Sequence, residues 1–191
     1  MNFRNFTNFM DYLLYNNPML KIVHAPHAVL SKSVRPVKKI DKKIRELVYD
    51  MEETLVIQTD PEGVGLAAPQ VGVDLAIFVM KPRPTDETEV FINPKIVERK
   101  PLTTKDDEEE DIKLEGCLSI PRIWGPVDRV DKVLVEYQDL AGEQKKEWFS
   151  GLKSVIVQHE IDHLQGVLFT QRVLEQKGKL YEEKNGELEV I

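Results

Sequence analysis

The sequence predicts an α+β fold in which antiparallel β-sheets pack around a central helix near the C-terminus. Strand-like segments precede that helix without the alternation of strands and helices that a parallel sheet requires. The helical segment at residues 152–164 is apolar on nearly all sides, which is typical of a buried helix. The chain has 191 residues, so we expect residues 1–191 to form a single domain with a sizeable core.

Composition and charge exclude several classes of protein. Acidic residues outnumber basic ones by 33 to 26, giving a net charge of −7, so we expect no direct nucleic-acid site. The chain has no apolar run of about 18 residues and no signal-like apolar N-terminus, which favours a soluble cytoplasmic protein with no membrane contact. Its single cysteine, Cys117, cannot form an internal disulfide and is either a small buried apolar residue or a reactive or metal-binding thiolate.

The first elements are an N-terminal extension and an amphipathic helix. Residues 1–20 carry apolar residues at helical spacing, and we favour packing on the domain over a targeting role because Arg4 and Asp11 are the only charges in the first 18 residues. Asp41 predicts the N-cap of the helix that follows. Apolar residues recur in that segment at the spacing of one helix face: Ile44, Leu47, Val48, Met51 and Leu55.

The glycine-rich segment 63–70 reads G-V-G-L-A-A-P-Q. It formally matches the G-x-G-x-x-A dinucleotide fingerprint, but turn-like residues precede it, and Pro69 and Gly72 disfavour the helix that should follow. Its two glycines instead permit close approach of another backbone, such as an extended peptide. Gln70 could then offer its amide to a substrate carbonyl.

Strands and loops fill most of the middle of the chain. The run Asp106 to Asp111 consists of six acids, and we interpret it as a solvated loop because the spacing of a calcium loop is absent. Residues 81–89 are rich in proline and charge and predict a linker between strands. β-branched and aromatic residues predict strands at four places: 73–80, 90–92, 130–137 and around Trp148 and Phe149.

An H-E-x-x-H motif lies in the predicted central helix, at His159, Glu160 and His163. Histidines four residues apart share one face of a helix and can bind one metal ion, and the glutamate beside the first histidine is placed to act as a general base. These side chains would be costly to bury without such a function. Gly151 and Gly166 bound the segment, and Gly166 is well placed as a C-terminal cap.

The segment E-G-C-L-S at 115–119 offers a third ligand. Hydrolytic zinc-type sites use three protein ligands and a water, and a Cys117 thiolate binds the softer metals strongly. A zincin-type protease would instead take its third ligand from downstream of the helix, where Glu175, Glu182 and Glu183 are available. A buried apolar role for Cys117 also remains open.

Together, residues 63–70, 115–119 and 158–166 resemble the three signature motifs of peptide deformylases, in the same order. The likeness extends from Lys21 to about Arg172. It implies that the chain is one catalytic domain that removes the formyl group from the N-terminal formyl-methionine of newly synthesised polypeptides and releases formate. It also implies one divalent metal ion, Fe(II) in the first place, with zinc, nickel or cobalt in other members.

The resemblance assigns a role to each matching residue. Glu160 would move protons, the Gln70 amide and the Leu118 backbone N–H would stabilise an oxyanion, and Glu115 and Arg129 would link the second motif to the following loop. The implied metal ligands are Cys117, His159 and His163. The implied substrate-binding residues are Val64, Gly65 and Gly116, which would pair with the peptide backbone, and Leu152, Val155 and Ile156, which would line the methionine pocket.

Three departures from the family pattern affect these expectations. Trp124 stands where a basic residue is often found near the cleft entrance, and the N-terminal extension and the acidic run are additional. Asn185 and Gly186 predict a β-hairpin over residues 179–191. Some members have a basic helix there that docks on the ribosome, so a transient ribosome contact is expected without that element.

Two alternative functions remain open, a zincin-type protease and a non-catalytic protein with a structural metal.

Overall fold

Two antiparallel sheets contribute side chains to the surroundings of one central helix in the computed structural model, which describes residues 19–101 and 114–191. The predicted α+β class and the antiparallel sheets are therefore confirmed. The expectations for a helical stripe in residues 1–18 and for a loop at residues 106–111 lie outside the described residues.

The described part of the chain has three α-helices and nine strands. The helices are α1 (Lys42–Val56), α2 (Leu152–Leu164) and α3 (Phe169–Glu175). The strands are β1 (Gly65–Ala67), β2 (Ile77–Met80), β3 (Glu89–Lys100), β4 (Leu114–Cys117), β5 (Ile120–Pro126), β6 (Lys132–Gln138), β7 (Gln144–Ser150), β8 (Tyr181–Lys184) and β9 (Glu187–Val190). The five-stranded sheet has the order β1-β2-β3-β6-β7, and the four-stranded sheet has the order β4-β5-β8-β9.

The five-stranded sheet is covered on both faces, as β2 illustrates. Side chains alternate along a strand, so Ile77 and Val79 pack in the cluster that includes the apolar face of α1, while Phe78 and Met80 pack in the cluster that includes α2. All four β2 residues are fully buried. This explains why β2 is continuously apolar, and it fixes α2 against the inner face of the sheet.

Two predicted strand boundaries were wrong. The strand expected from residue 73 begins at Ile77, because Leu75 forms only an isolated parallel bridge with Arg35, whose backbone N–H and guanidinium also donate to the Asp74 side chain. The strand expected at 90–92 extends to Lys100. Asn93 adopts a positive φ of 53° and the register shifts between Ile92 and Lys95, and pairing with β6 resumes beyond this bulge.

The predicted helix and turn boundaries agree better with the structure. The Asp41 side chain accepts a hydrogen bond from Ile44 N at the start of α1. Helix α2 ends at Leu164, and Gly166 follows with a φ of 74°. Strands β8 and β9 pair antiparallel across Asn185 and Gly186, where the sequence predicted a hairpin. In the described residues, no helix has the length and apolar character needed to cross a membrane.

Candidate active site

Helix α2 and strand β4 bring one thiol and two imidazoles together. Potential ligand atoms of Cys117, His159 and His163 all lie within 4.8 Å of one another, and Cys117 Sγ is 3.2 Å from His163 Nε2. Tetrahedral coordination at usual bond lengths places sulfur and nitrogen ligands about 3.5 Å apart. The three residues are buried or nearly so. A soft thiolate with two imidazoles suits zinc or a late first-row transition metal, so the donor set fits one divalent cation.

Glu115 orients the first of these histidines. Its Oε2 lies 3.0 Å from His159 Nδ1, which leaves Nε2 of the same ring available as a ligand. Arg129 donates from Nε and Nη2 to both Glu115 oxygens at 2.8 and 2.9 Å. Burial alone would raise the pKa of Glu115, but the hydrogen bonds with His159 and Arg129 outweigh it and hold that pKa below its ordinary value.

Asp162 is a supporting residue to which the sequence analysis gave no role. It accepts a 2.6 Å hydrogen bond from Arg129 Nη1 and a 2.8 Å bond from Arg172 Nη2. The side chains of Arg129, Glu115 and Asp162 are each less than a tenth exposed. A buried acid in the motif does imply a cationic partner, but only the fold identifies which arginines supply it.

Glu160 faces the cavity from the same helix. It is 4% exposed, and its Oε2 has no hydrogen-bond partner among the described residues. Burial raises the pKa of Glu160 to about 7. Strand β1 passes directly beside it, because a side-chain carbon at Gly65 would come within 2.9 Å of Ile156 and would overlap the Glu160 carboxylate. Glycine is therefore required at position 65 for this close approach.

Gln70 lies in a short 3₁₀ helix that follows β1, and it is 1% exposed. Its Oε1 accepts a 2.8 Å hydrogen bond from Ala67 N, which directs its NH₂ group to within 3.5 Å of Cys117 Sγ. Because this segment makes a single 3₁₀ turn and ends at Gly72, no α-helix follows the glycines as a dinucleotide fingerprint would require.

A cavity of about 310 Å³ joins the segments that the sequence singled out. It lies between β1 and β4, and each of these is the edge strand of its sheet. Among the predicted catalytic, substrate-binding and metal-ligating residues, His163 is the one that does not line it, and its side chain is 1% exposed. The predicted site residues around it are Val64, Gly65, Gln70, Gly116, Cys117, Leu118, Leu152, Val155, Ile156, His159 and Glu160.

Four further residues line the cavity without having been assigned a role. They are Pro61, Glu62, Leu114 and Trp124. The sequence had marked Trp124 only as a departure at the cleft entrance. An apolar cavity with a few polar groups, edge strands on two sides and a carboxylate oxygen without a hydrogen-bond partner in the described part of the chain is suited to hydrolysis at one end of an extended peptide.

Comparisons with known proteins point to one family. The family model described as Polypeptide deformylase matches residues 19–179. The peptide deformylase of Dictyoglomus thermophilum is 41% identical over 154 residues, which cover 81% of this chain and 92% of that protein. The crystal structure of peptide deformylase from Thermotoga maritima is similar with a TM-score of 0.71 at 36% identity, covering 82% of this chain and 98% of that one. A peptide deformylase structure from Legionella pneumophila has the same TM-score of 0.71 at 36% identity, with 81% and 85% covered.

Proposed function

The chain belongs to the polypeptide deformylase family, and we propose that it removes the formyl group from the N-terminal formyl-methionine of newly synthesised polypeptides as a metal-dependent hydrolase that releases formate. The observation that carries this proposal is the cavity that places Glu160 and the Cys117–His159 pair between two sheet edges. A formylated N-terminus would occupy the part of the cavity lined by Glu160 and Cys117, and the rest of the peptide would extend along the edges.

We propose that Cys117, His159 and His163 hold one divalent cation, with Fe(II) as the first candidate and zinc, nickel or cobalt as alternatives. The clustering of their ligand atoms supports this set, and so does the orientation of His159 by Glu115. When bound, the cation would supply Lewis acidity toward water and the formyl oxygen.

Glu160 would carry the proton in both halves of the reaction. A water oxygen bonds to the formyl carbon and gives its proton to the carboxylate. The bond between the formyl carbon and the methionine nitrogen then breaks, and Glu160 returns the proton to the leaving amine, so the products are formate and a free N-terminus. The burial of Glu160 and its unpaired Oε2 support this role.

Gln70 and Leu118 would stabilise the charge that develops on the formyl oxygen. The Gln70 carboxamide is held by Ala67 N beside Cys117, and Leu118 follows Cys117 at the end of β4. An N–H donor that is fixed in this way before the reaction can stabilise the transition state by about 3 kcal/mol.

The peptide would bind by pairing its main chain with the cavity edges. Val64, Gly65 and Gly116 would make these backbone contacts, since they flank or form β1 and β4 at the open edges. One wall of the cavity comes from α2 and would accept the methionine side chain through Leu152, Val155 and Ile156. Main-chain pairing would tolerate many residues after the methionine.

We expect the enzyme to act in the cytoplasm on nascent chains and to contact the ribosome only transiently. The C-terminal segment 179–191 contains two lysines and four glutamates, so it lacks the excess of positive charge that would favour contact with ribosomal RNA. A ribosome contact would therefore use another surface.

Formate release from formyl-Met-Ala-Ser, with metal analysis of protein purified without oxygen, tests the proposed function directly. We expect stoichiometric formate and about one equivalent of iron per chain. Cleavage of internal peptide bonds without formate release would favour a zincin-type protease. A tightly bound metal with neither activity would favour a structural metal site.

A further inference from the structure

The C-terminal hairpin contacts the wall of the cavity. Strand β8 pairs with β5, and Trp124 lies opposite Tyr181 in that ladder. Trp124 Nε1 donates a 3.1 Å hydrogen bond to Glu183 Oε2. Trp124 also lines the cavity. A hairpin at the end of the chain is thereby joined to the proposed substrate site by one hydrogen bond and one strand pair.

The Trp124 ring lies against the strand that carries Cys117. A side-chain carbon at Gly116 would come within 2.7 Å of the ring, so the indole packs directly on the backbone of β4. Gly116 and Trp124 both line the cavity. A change in the tilt of the indole would therefore change the shape of the cavity on the side of β4.

The hydrogen bond with Trp124 does not compete with an ion pair at Glu183. Among the described residues, no cation forms an ion pair with it, whereas its neighbours Glu182 and Lys184 pair with each other at 2.8 Å. An indole N–H that is partly buried needs an acceptor, and a carboxylate is a stronger acceptor than a neutral oxygen. The carboxylate thus favours one orientation of the ring.

We propose that Glu183 is a positioning residue for substrate selection, holding Trp124 as an apolar wall beside the peptide residue that follows the formylated methionine. This inference rests on the proposed function. An aromatic face favours apolar and aromatic side chains. Acidic side chains are disfavoured by the carboxylate of Glu183, which is hydrogen-bonded to the indole, and by that of Glu62, which lines the same cavity. The enzyme therefore prefers formyl-Met-Phe-Ser to formyl-Met-Ala-Ser and discriminates against formyl-Met-Glu-Ser.

Steady-state kinetics of the metal-loaded enzyme on these three peptides test the proposal. Glu183→Ala should lower the preference for phenylalanine over alanine about fivefold, which is the size expected from loss of one partly exposed hydrogen bond. The change should appear in KM, and kcat should stay nearly unchanged. Glu183→Gln, whose amide oxygen can still accept, should retain most of the preference. Glu187→Ala removes an exposed carboxylate from the same hairpin and should change nothing. An unchanged preference in Glu183→Ala, or equal losses in it and in Glu187→Ala, would overturn the proposal.

A double-mutant cycle tests whether Glu183 acts through the indole. Trp124→Phe keeps an aromatic ring but removes the donor, so Glu183→Ala should have no further effect on the preference in that background. Independent and additive losses would contradict the proposal.

Fluorescence gives a measurement that does not depend on activity. Trp148→Phe leaves Trp124 as the single tryptophan, and in that background Glu183→Ala should increase quenching of Trp124 by acrylamide, whereas Glu187→Ala should not. Equal quenching in the two variants would contradict the contact between Glu183 and the indole.

If the unmutated enzyme releases no formate from any of the three peptides, the proposed function fails and the selection role fails with it. Full activity with unchanged preference removes only the role of Glu183.

Discussion

The two sheets hold the motif helix in different ways. The inner face of the five-stranded sheet packs on α2 through aliphatic and aromatic side chains, including Phe91, which is fully buried and stacks on Phe78 with ring centroids 4.3 Å apart. The four-stranded sheet reaches α2 through Cys117 and through the ion pairs that join Glu115, Arg129 and Asp162.

The apolar contacts and the ion pairs have different effects on α2. Apolar burial is non-directional and stabilises the helix without specifying the angle of any ring. Charge-assisted hydrogen bonds have fixed geometry, so they can hold His159 at one orientation. We therefore expect substitutions on the apolar side to reduce stability, and substitutions on the polar side to reduce metal affinity as well.

The largest effect is expected for Cys117→Ala. Loss of a ligand should reduce metal affinity by more than the roughly 10- to 100-fold that loss of a supporting hydrogen bond costs, and formate release should fall with it. Alanine keeps the backbone pairing of β4 with β5, so far-UV circular dichroism should stay unchanged. Competition with a chromophoric chelator measures the affinity. Full metal content and full formate release in this variant would remove Cys117 from the site and assign the third ligand to another residue.

Glu160→Ala should separate the chemistry from the metal support. If Glu160 carries the proton and is not a ligand, the variant should hold near-stoichiometric metal but release formate at least about a hundredfold more slowly. Metal analysis and single-turnover formate release measure the two quantities. Loss of metal together with activity would make Glu160 a support of the site, and a nearly unchanged rate would place the base elsewhere.

Arg129→Met and Phe91→Ala compare the polar and the apolar support of α2. Removing Arg129 leaves the buried Glu115 without an arginine partner and Asp162 with Arg172 alone, and removing the Phe91 ring leaves a cavity. Each substitution should therefore lower the free energy of unfolding of the metal-free protein by about 3–5 kcal/mol. Urea denaturation measures this loss. Only Arg129→Met should also lower metal affinity, by about 10- to 100-fold, because Glu115 then no longer fixes His159. Equal metal affinities in the two variants would contradict this difference between the two supports.

The sequence predicted local features better than partnerships between distant segments. Asp41 and Gly166 were identifiable because caps depend on the residue itself and its immediate neighbours. Cys117 emerged as the favoured ligand because two histidines at helical spacing leave a metal one ligand short.

Strand limits and the partners of charged residues depended on the fold. The residues before β2 contact Arg35, which is 39 residues from Asp74 in the chain, and that contact has no local signal. The pairing of Arg129 with Asp162 joins residues 33 apart in the chain. A buried acid implies a cation, but several arginines could have provided it, and only the packing of α2 against α3 and the loop between β5 and β6 decides between them.

The smallest effect is expected at the rim of the ion-pair network, for Arg172→Gln. The Arg172 side chain is 32% exposed, and Asp162 keeps its hydrogen bond from Arg129 when Arg172 is lost. The free energy of unfolding should therefore fall by about 1 kcal/mol or less, close to that of Arg35→Gln, which breaks an exposed pair with Asp74. Chelator competition should show metal affinity within about twofold of the unmutated protein, since loss of a rim ion pair leaves the Glu115–His159 contact in place. A loss as large as that of Arg129→Met would mean that the orientation of His159 depends on how Asp162 is held, and the polar support would then extend to α3.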